Sequence, residues 1–230
     1  MNKQLTFGSP LDELLDRLYA QSANQTEEMA LYFEARAKEG SLDWNRFDAQ
    51  TNRFLSDKLV ALDRNKAEFC YQVCRSLGAR RIVEAGTSFG VSTLFLAAAV
   101  RDNVRAAGGE GVVIGTEYES SKTRAARANF AAAGLSGFID LREGDLRETL
   151  VDVGGPIDFM LMDIWTPMAR PALELVAHRL RQGAVVICDN TEQFRPAYKD
   201  YFDFVNNPAN GFRTITLPFE GGVEFTVRCD

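Results

Sequence analysis

The sequence predicts an α/β fold in which a mostly parallel, seven-stranded sheet follows a helical N-terminal extension and ends in a C-terminal antiparallel hairpin. Two observations support this prediction. From residue 65 onward, short apolar runs alternate with segments of helical periodicity, the pattern of a parallel sheet covered on both faces. Two of these runs, FMLM at 159–162 and AVVIC at 184–188, are uninterrupted, as in strands buried on both sides.

Residues 1–64 are predicted to form the extension, and they carry no chemical motif. Ser9-Pro10 supplies an N-cap and a proline at the first helical position of a first helix, whose apolar face is Leu11, Leu14, Leu15 and Leu18. A second helix is predicted at 26–38. A third is predicted between residues 43 and 62, with apolar positions at Trp44, Phe47, Phe54, Leu55 and Leu59. The extension either covers the main domain or makes an oligomer contact, such as a homodimer interface.

Residues 65–230 are predicted to form the domain that carries the chemistry. Its strands are expected at 81–85, 112–117, 138–142, 157–162, 184–188, 212–217 and 223–228. Its helices are expected at 67–77, 86–100, 120–133, 146–150, 169–180 and 197–205. The glycine-rich piece 106–111 is expected to be a loop. The last two strands flank a turn at 220–222 and are close enough to form a hairpin.

Charge and composition exclude several classes of function. The 230 residues include 32 acids, 26 Lys or Arg and one histidine, for a net charge of −6. This acidic balance argues against a nucleic-acid partner, and a histidine-rich zinc site cannot be built. A metal would have to be held by oxygen, which favours Mg²⁺ or Ca²⁺. No transmembrane span, signal peptide or disulfide framework is apparent, so we expect a cytoplasmic protein without a membrane partner.

Each of the first five predicted strands carries an acidic residue at or just after its carboxyl end. In an open parallel sheet, ligands bind beyond this edge, near the point where the strand order reverses. Helix capping or turn formation explains one or two such acids, but five in register indicate a site. These acids are Glu84, Glu117, Asp145, Asp163 and Asp189.

The first strand end opens a glycine-containing loop, Glu84-x-Gly86-x-x-x-Gly90. Glycine lets the backbone approach a ligand, and the following helix offers free N–H groups to an anion. The spacing differs from the G-x-G-x-x-G of dinucleotide sites, which argues against an NAD-dependent dehydrogenase. Glu117 can bind ribose hydroxyls, and Asp145 can accept a hydrogen bond from an adenine amino group. Together these groups describe a pocket for an adenosine with an amino-acid tail, which is S-adenosylmethionine.

Five segments then carry a family resemblance. Class I S-adenosylmethionine-dependent methyltransferases have motifs similar to IVEAGTSFGVSTLFLAAAV, VIGTEYESSKTRAARANFAAAGL and LREGD. More narrowly, two segments resemble the group of cation-dependent catechol O-methyltransferases and caffeoyl-CoA O-methyltransferases. These segments are FMLMDIWTP and VICDN. The resemblance spans residues 60–230. It implies a Rossmann-like methyltransferase fold and an O-methyltransferase that acts on a small, catechol-like or phenolic aromatic substrate.

The resemblance also implies roles for individual residues. Asp163, Asp189 and Asn190 would bind Mg²⁺ or another divalent cation. Within the cofactor site, the methionine end would meet Gly86, Gly90, Ser92 and the backbone of Leu62, while Glu117 would bind the ribose. Asp145 and Leu146 would border the adenine, and Trp165 would lie beside both cofactor and substrate. The predicted cofactor set is completed by Glu84, Thr87, Tyr118 and Asp163.

The expected chemistry follows from the residue types. Three oxygen ligands leave three positions of an octahedral Mg²⁺ for water and substrate. A phenolic hydroxyl, with a pKa of about 10, becomes a better nucleophile when a divalent cation lowers that pKa. Asp163 is the predicted catalytic residue, together with Glu224, which resembles an acid that contacts the second substrate hydroxyl in catechol O-methyltransferase.

One position departs from the family pattern. The group often has a lysine three residues after the metal-binding aspartate, whereas this chain has Thr166. Three explanations remain open: the cation alone activates the hydroxyl, Lys199 reaches in, or the substrate is already acidic. Two alternative functions also remain open. One is a metal-independent methyltransferase in which Asp163 is only a base, and the other is an adenosine-ligand binding protein without turnover.

Overall fold

A computed structural model describes residues 5–43, 46 and 48–229 of the chain. Seven strands form one sheet: β1 (Arg81–Ala85), β2 (Val112–Glu117), β3 (Ile139–Glu143), β4 (Ile157–Met162), β5 (Leu180–Asp189), β6 (Phe212–Leu217) and β7 (Val223–Arg228). Their order is β3-β2-β1-β4-β5-β7-β6. The first five strands run parallel, and β7 pairs antiparallel with both β5 and β6. The predicted fold class is therefore confirmed.

Helices cover both faces of this sheet. They are α1 (Leu11–Ala23), α2 (Thr26–Lys38), α3 (Ala49–Leu55), α4 (Arg64–Leu77), α5 (Val91–Ala107), α6 (Ser120–Ala132), α7 (Leu146–Thr149), α8 (Thr166–Val176) and α9 (Lys199–Val205). Short 3₁₀ turns occur at Ser136–Phe138, Ala177–Arg179 and Pro208–Asn210. Across the described ranges, every helix is too short or too polar to span a lipid bilayer.

The strand order reverses between β1 and β4, which is the position where open α/β sheets bind ligands. The strands also end level with one another. Ala85 at the end of β1 pairs with Thr116 of β2 and Met162 of β4, and Met162 pairs in turn with Cys188 of β5. The residues that follow these positions therefore lie side by side along one edge of the sheet.

The extension is not separate from the main core. The leucine face of α1 is buried in the same hydrophobic cluster as α4 and α5. By contrast, α2 buries only Arg36 among its residues. The packing of α1 favours the covering role predicted for the extension, while the boundary at residue 64 and the oligomer contact stay predictions.

Several element boundaries differ from those predicted, and among the elements after α3 the largest differences are in α5, β5 and α8. Helix α5 continues past residue 100 to Ala107, because no helix breaker occurs before Gly108, which has φ +70°. Strand β5 begins at Leu180 rather than 184 and passes through a bulge near Gly183, which has φ +75°. The predicted helix at 169–180 consequently ends at Val176.

The third predicted helix is also shorter than expected. Phe54 and Leu55 lie in α3, but Leu59 lies beyond it in a segment without helical structure. Trp44 and Phe47 fall outside the described residues.

The burial of α1 generates a prediction about stability. Leu15 is 1% exposed, so Leu15→Ala should lower the free energy of unfolding by about 2–5 kcal/mol through lost burial and a cavity. Urea denaturation of the full chain measures this loss. Leu31→Ala on α2 is the control, because Leu31 is 60% exposed and its truncation should change stability by less than about 0.5 kcal/mol. Equal effects for the two variants would contradict the packing of α1.

Candidate functional site

The loop between β1 and α5, residues 86–90, is packed against the end of β4. Gly86 has φ +96°, and a Cβ atom there would overlap the backbone oxygen of Asp163. Gly90 has φ +85°, and a Cβ atom there would overlap the ring of Phe130 on α6. Both glycines of the predicted motif are therefore required by the backbone conformation and by their neighbours. Because Gly86 has no side chain, the loop packs directly against Asp163, and because Gly90 has none, the start of α5 packs against Phe130.

Glu84 anchors this loop from beneath. Its carboxylate is 0% exposed and accepts hydrogen bonds from the hydroxyls of Thr87 (3.0 Å), Ser92 (2.7 Å) and Thr93. Burial raises the pKa of Glu84, and the three hydroxyls oppose that shift. The side chains of Glu84, Thr87 and Ser92 thus shape the loop from its buried side, and their direct contact with a cofactor stays a prediction.

A narrow cleft opens where the loop faces residues 59–62. Its other lining residues are Gly86–Phe89, Val91, Ser92 and Asp163. The predicted cofactor residues Leu62, Gly86, Thr87, Ser92 and Asp163 therefore meet around one space. This juxtaposition agrees with the expectation that a ligand lies beyond the end of β1.

The wall at residues 59–62 is held by the N-terminal helices. Tyr19 Oη donates to the Leu62 carbonyl (3.0 Å), and the Leu59 N–H donates to Gln25 Oε1 (2.8 Å). The Ala61 N–H donates to Ser22 Oγ over 3.4 Å. Sequence reasoning missed these three side chains. Tyr19 and Ser22 are three residues apart on α1, the spacing of one helix face, whereas Gln25 lies between α1 and α2.

Glu117 lies at the end of β2 and is linked to the same loop. Its carboxylate accepts hydrogen bonds from the N–H of Ser88 (2.7 Å) and from the N–H of Glu119 (2.8 Å). Ser88 adopts φ +49°, an unusual conformation for a residue other than glycine. The neighbouring Tyr118 is 72% exposed. Glu117 is thus fixed beside the cleft, where its remaining lone pairs can accept from a ligand.

Two further predicted cofactor residues lie where β3 meets α7. Asp145 caps α7 by accepting from the Arg147 N–H (2.9 Å), and it also accepts from the Arg147 guanidinium. The hydrogen bonds from Arg147 lower the pKa of Asp145 to about 2. An adenine amino group would have to share this carboxylate with Arg147. Leu146 is buried beneath it.

The predicted metal ligands follow β4 and β5. Asp163 and Asp189 come directly after the paired residues Met162 and Cys188, so the two aspartates are neighbours across the sheet edge. Asn190 adopts φ +57°, and its amide packs tightly against Gly221, where an added Cβ would lie 2.5 Å from Asn190 Oδ1. The structure therefore brings the three predicted ligands to one place.

A lysine that sequence reasoning missed lies among these acids. Lys66, in the first turn of α4, is 3% exposed, and its ammonium lies 2.8 Å from Asp189 Oδ1. The same nitrogen lies 3.1 Å from Asp63 Oδ2. The available signal was its position, because a cation in the first turn of a helix opposes the helix dipole and needs a compensating acid.

Negative charge exceeds positive charge in this cluster. Loss of hydration raises the pKa of Asp163 well above its usual range, the carboxylates of Asp189 and Glu84 raise it further, and Lys66 lowers it. The pKa of Asp189 is also raised by burial, against the opposing effect of Lys66. A surplus of buried carboxylate favours the binding of a further cation.

The oxygen atoms of Asp163, Asp189 and Asn190 are of the type that binds a hard divalent cation. Two carboxylates and an amide oxygen are the ligands that Mg²⁺ accepts in proteins, alongside water. Within the described ranges, no group of three or more histidine, cysteine, aspartate or glutamate side chains is placed to hold a metal, so the amide of Asn190 would have to complete the set. Lys66 already contacts one oxygen of Asp189.

Glu224 and Lys199 are not brought into this cluster. Glu224 on β7 is buried, and it accepts hydrogen bonds from the hydroxyls of Thr214 and Thr216 (2.6 Å for Thr216). Both its oxygens are therefore engaged within the hairpin, and its predicted contact with a substrate hydroxyl stays a prediction. Lys199 has a largely exposed side chain that pairs with Asp203. It therefore does not replace the lysine that the related group often has at the position of Thr166.

Trp165 begins the turn into α8 directly after the cluster. Its side chain is 45% exposed, as expected for an aromatic residue that can cover a ligand in the cleft. Thr166, the first residue of α8, is buried. A nitrogen is instead supplied to Asp189 by Lys66, on a different element, at 2.8 Å.

Comparison with known proteins identifies chains that are similar in sequence and in fold. A family model described as "Methyltransferase domain" matches residues 83–191. The chain is 30% identical over 132 residues to a catechol O-methyltransferase of Mycobacterium tuberculosis, a match that covers 57% of each chain. The match therefore spans less than two thirds of that relative's length.

Solved structures show the same fold. An O-methyltransferase from Bacillus cereus in complex with SAH is 21% identical and has a TM-score of 0.65, with 78% of this chain and 87% of that chain covered. A putative O-methyltransferase from Klebsiella pneumoniae is 19% identical and has a TM-score of 0.70, with 98% and 93% covered. The folds are alike from the N-terminal helices to the C-terminal hairpin.

The geometry of Gly86 generates a prediction about the loop. Gly86→Ala should destabilise the protein by about 1–3 kcal/mol, because the residue has positive φ and its new Cβ would overlap the Asp163 backbone. Chemical denaturation measures the change. Gly137→Ala is the matched control, because it has open space for a Cβ and no positive φ. A Gly86→Ala variant as stable as that control would contradict the described approach of the loop to Asp163.

Proposed function

We propose that this chain is an O-methyltransferase that transfers the methyl group of S-adenosylmethionine to a small catechol-like or phenolic substrate, a proposal supported by the match of residues 83–191 to a family model described as "Methyltransferase domain". We further propose that a divalent cation, Mg²⁺ in the first instance, assists the reaction. The observation that carries the proposal is the meeting of the 86–90 loop, Asp163 and the Asp189-Asn190 pair at the edge where the strand order reverses.

The residues that line the cleft suit S-adenosylmethionine in their chemistry. The loop and the Leu62 backbone present peptide groups to the amino-acid end of the cofactor, and Glu117 presents a fixed carboxylate to the ribose. Asp145 and Leu146 lie at the next strand end, where the adenine would reach. The complex of the Bacillus cereus relative with SAH, the demethylated cofactor, supports this assignment.

A groove next to Asn190 is the proposed substrate site. It has a volume of about 410 Å³ and is lined by Glu192, Gly221, Gly222 and residues 216–219, of which the last three are apolar. A volume of this size accommodates a single aromatic ring with a short substituent. A substrate placed there would lie beside Gly221, which packs against the Asn190 amide.

Catalysis would then consist mainly of positioning and electrostatics. Asp163, Asp189 and Asn190 would hold the divalent cation, which lowers the pKa of a coordinated hydroxyl and orients it. The loop would hold the amino-acid end of the cofactor and so position its sulfonium for transfer of the methyl group. The new C–O bond forms as the C–S bond breaks, the hydroxyl proton is released, and S-adenosylhomocysteine remains.

A second candidate is favoured by Lys66. Since its ammonium already neutralises Asp189, the methyl transfer can proceed without a metal in this candidate, with Asp163 accepting the hydroxyl proton.

The proposal also includes a cytoplasmic location and a homodimer.

Chelation separates the two candidates. With S-adenosylmethionine, Mg²⁺ and a panel of catechols, release of S-adenosylhomocysteine should fall to background in EDTA and return when Mg²⁺ is restored. Asp189→Asn should lower the Mg²⁺-dependent rate by about a hundredfold or more. The substitution removes the negative charge of a proposed metal ligand, and this loss should exceed the effect of removing a residue that only orients a ligand. Asp203→Asn, in the exposed pair with Lys199, is the control.

The other outcomes are equally informative. Turnover that survives EDTA would replace the cation-assisted mechanism with the metal-independent one. Cofactor binding by calorimetry without turnover on any phenol would favour the adenosine-ligand binding protein.

The role of Tyr19 gives a further prediction. Tyr19→Phe removes the hydrogen bond to the Leu62 carbonyl, so the affinity for S-adenosylhomocysteine should fall by about threefold to tenfold, the worth of one such bond. Calorimetry measures the affinity, and thermal unfolding checks that the fold is unchanged. Tyr32→Phe is the control, because Tyr32 contacts Thr51 in the extension instead. Identical affinities in both variants would show that the wall at residues 59–62 does not bind the cofactor.

A further inference from the structure

Lys66 carries a buried positive charge in an unfavourable place. It lies in the first turn of α4, where the helix dipole disfavours cations, and its side chain is 4% exposed. Removing an ammonium from water costs several kcal/mol unless it is paired. Its two carboxylate partners, Asp189 at 2.8 Å and Asp63 at 3.1 Å, must therefore stabilise it.

These two partners lie in different environments. The Asp189 side chain is 5% exposed and belongs to the cluster with Asp163, whereas the Asp63 side chain is 54% exposed and lies one helical turn before Lys66. Charge pairs are stronger when buried than when they face water. The ammonium therefore has a buried partner and a solvent-facing partner within reach of the same side chain.

The buried partner is also a proposed cation ligand. If a divalent cation approaches Asp189, the Lys66 ammonium is repelled by a charge twice its own at close range. Since Asp63 is already within 3.1 Å, Lys66 can release Asp189 and keep one carboxylate partner. Exchange at this position requires no rearrangement of the backbone.

We propose that Lys66 is an exchangeable counter-ion of the cation site, holding Asp189 in the absence of a divalent cation and remaining on Asp63 when the cation takes Asp189. This inference rests on the cation site of the proposed function. Lys66 would thereby compensate the charge of Asp189 in the free protein. It would also weaken cation binding, because the cation must displace it from Asp189.

The inference predicts opposite effects for two substitutions. Lys66→Met removes the competing charge and should tighten cation binding. Asp63→Asn removes the alternative partner, so Lys66 should stay on Asp189 and cation binding should weaken. Because Asp63 acts through Lys66, its substitution should have little effect once Lys66 is already Met. A double-mutant cycle measures this dependence.

Binding of Mn²⁺ to the full chain, followed by the electron paramagnetic resonance signal of free Mn²⁺, provides the test. We expect Lys66→Met to bind Mn²⁺ about tenfold or more tightly than the unmodified chain, and Asp63→Asn to bind it several-fold more weakly. The double variant should match Lys66→Met. Lys38→Met, which removes an exposed lysine paired with Glu34, is the charge-matched control and should leave the affinity unchanged.

Calorimetry with S-adenosylhomocysteine verifies that each variant is folded. Should Lys66→Met fold poorly, the weaker binding expected for Asp63→Asn still tests the inference, because Asp63 is largely exposed. Mn²⁺ binding that Lys66→Met leaves unchanged or weakens would overturn the inference while leaving the cation site in place. A full Asp63→Asn effect in the Lys66→Met background would also overturn it. Absence of Mn²⁺ binding in every variant would overturn the cation site itself, and the inference with it.

Discussion

The level ending of four parallel strands is the constraint on which the site depends. Because Ala85, Thr116, Met162 and Cys188 are in register, the residues after them are delivered to one edge of the sheet. The Asp163 N–H donates to the Ala85 carbonyl (3.1 Å), which extends the β1–β4 pairing into the site. Gly86 then allows the loop to close against Asp163. The proposed cofactor-binding residues and the proposed metal ligands become neighbours as a result of this pairing.

The acids at this edge of the sheet repel one another and lose hydration. Each of them is stabilised by different neighbouring groups. Three hydroxyls surround Glu84, two backbone N–H groups bind Glu117, and the ammonium of Lys66 accompanies Asp189. Asp163 has the least compensation, and its pKa is raised accordingly. The helices before β1 contribute both Lys66 and the side chains that hold residues 59–62, so they are part of the site.

Strand positions were predictable because they depend on local patterns. The bounds of β1, β2, β4, β6 and β7 agree with the apolar runs in the sequence, and the acids at the strand ends lie where the parallel arrangement requires. The position of Lys66 in a first helical turn indicated that it needs an acidic partner, but the identity of that partner was not predictable, since Asp189 is distant in sequence and the two meet only after folding. For Glu224, strand alternation could not show that the hydroxyls of Thr214 and Thr216 occupy its carboxylate.

A crystal structure of the full chain with S-adenosylhomocysteine and Mg²⁺ tests most directly whether the aligned strand ends form one site for cofactor and cation. We expect the amino-acid end of the ligand against residues 86–90, its ribose on Glu117, and the cation on Asp163, Asp189 and Asn190 with the Lys66 ammonium turned to Asp63. A ligand bound on another face of the sheet, or a cation held elsewhere while Lys66 remains on Asp189, would contradict this arrangement.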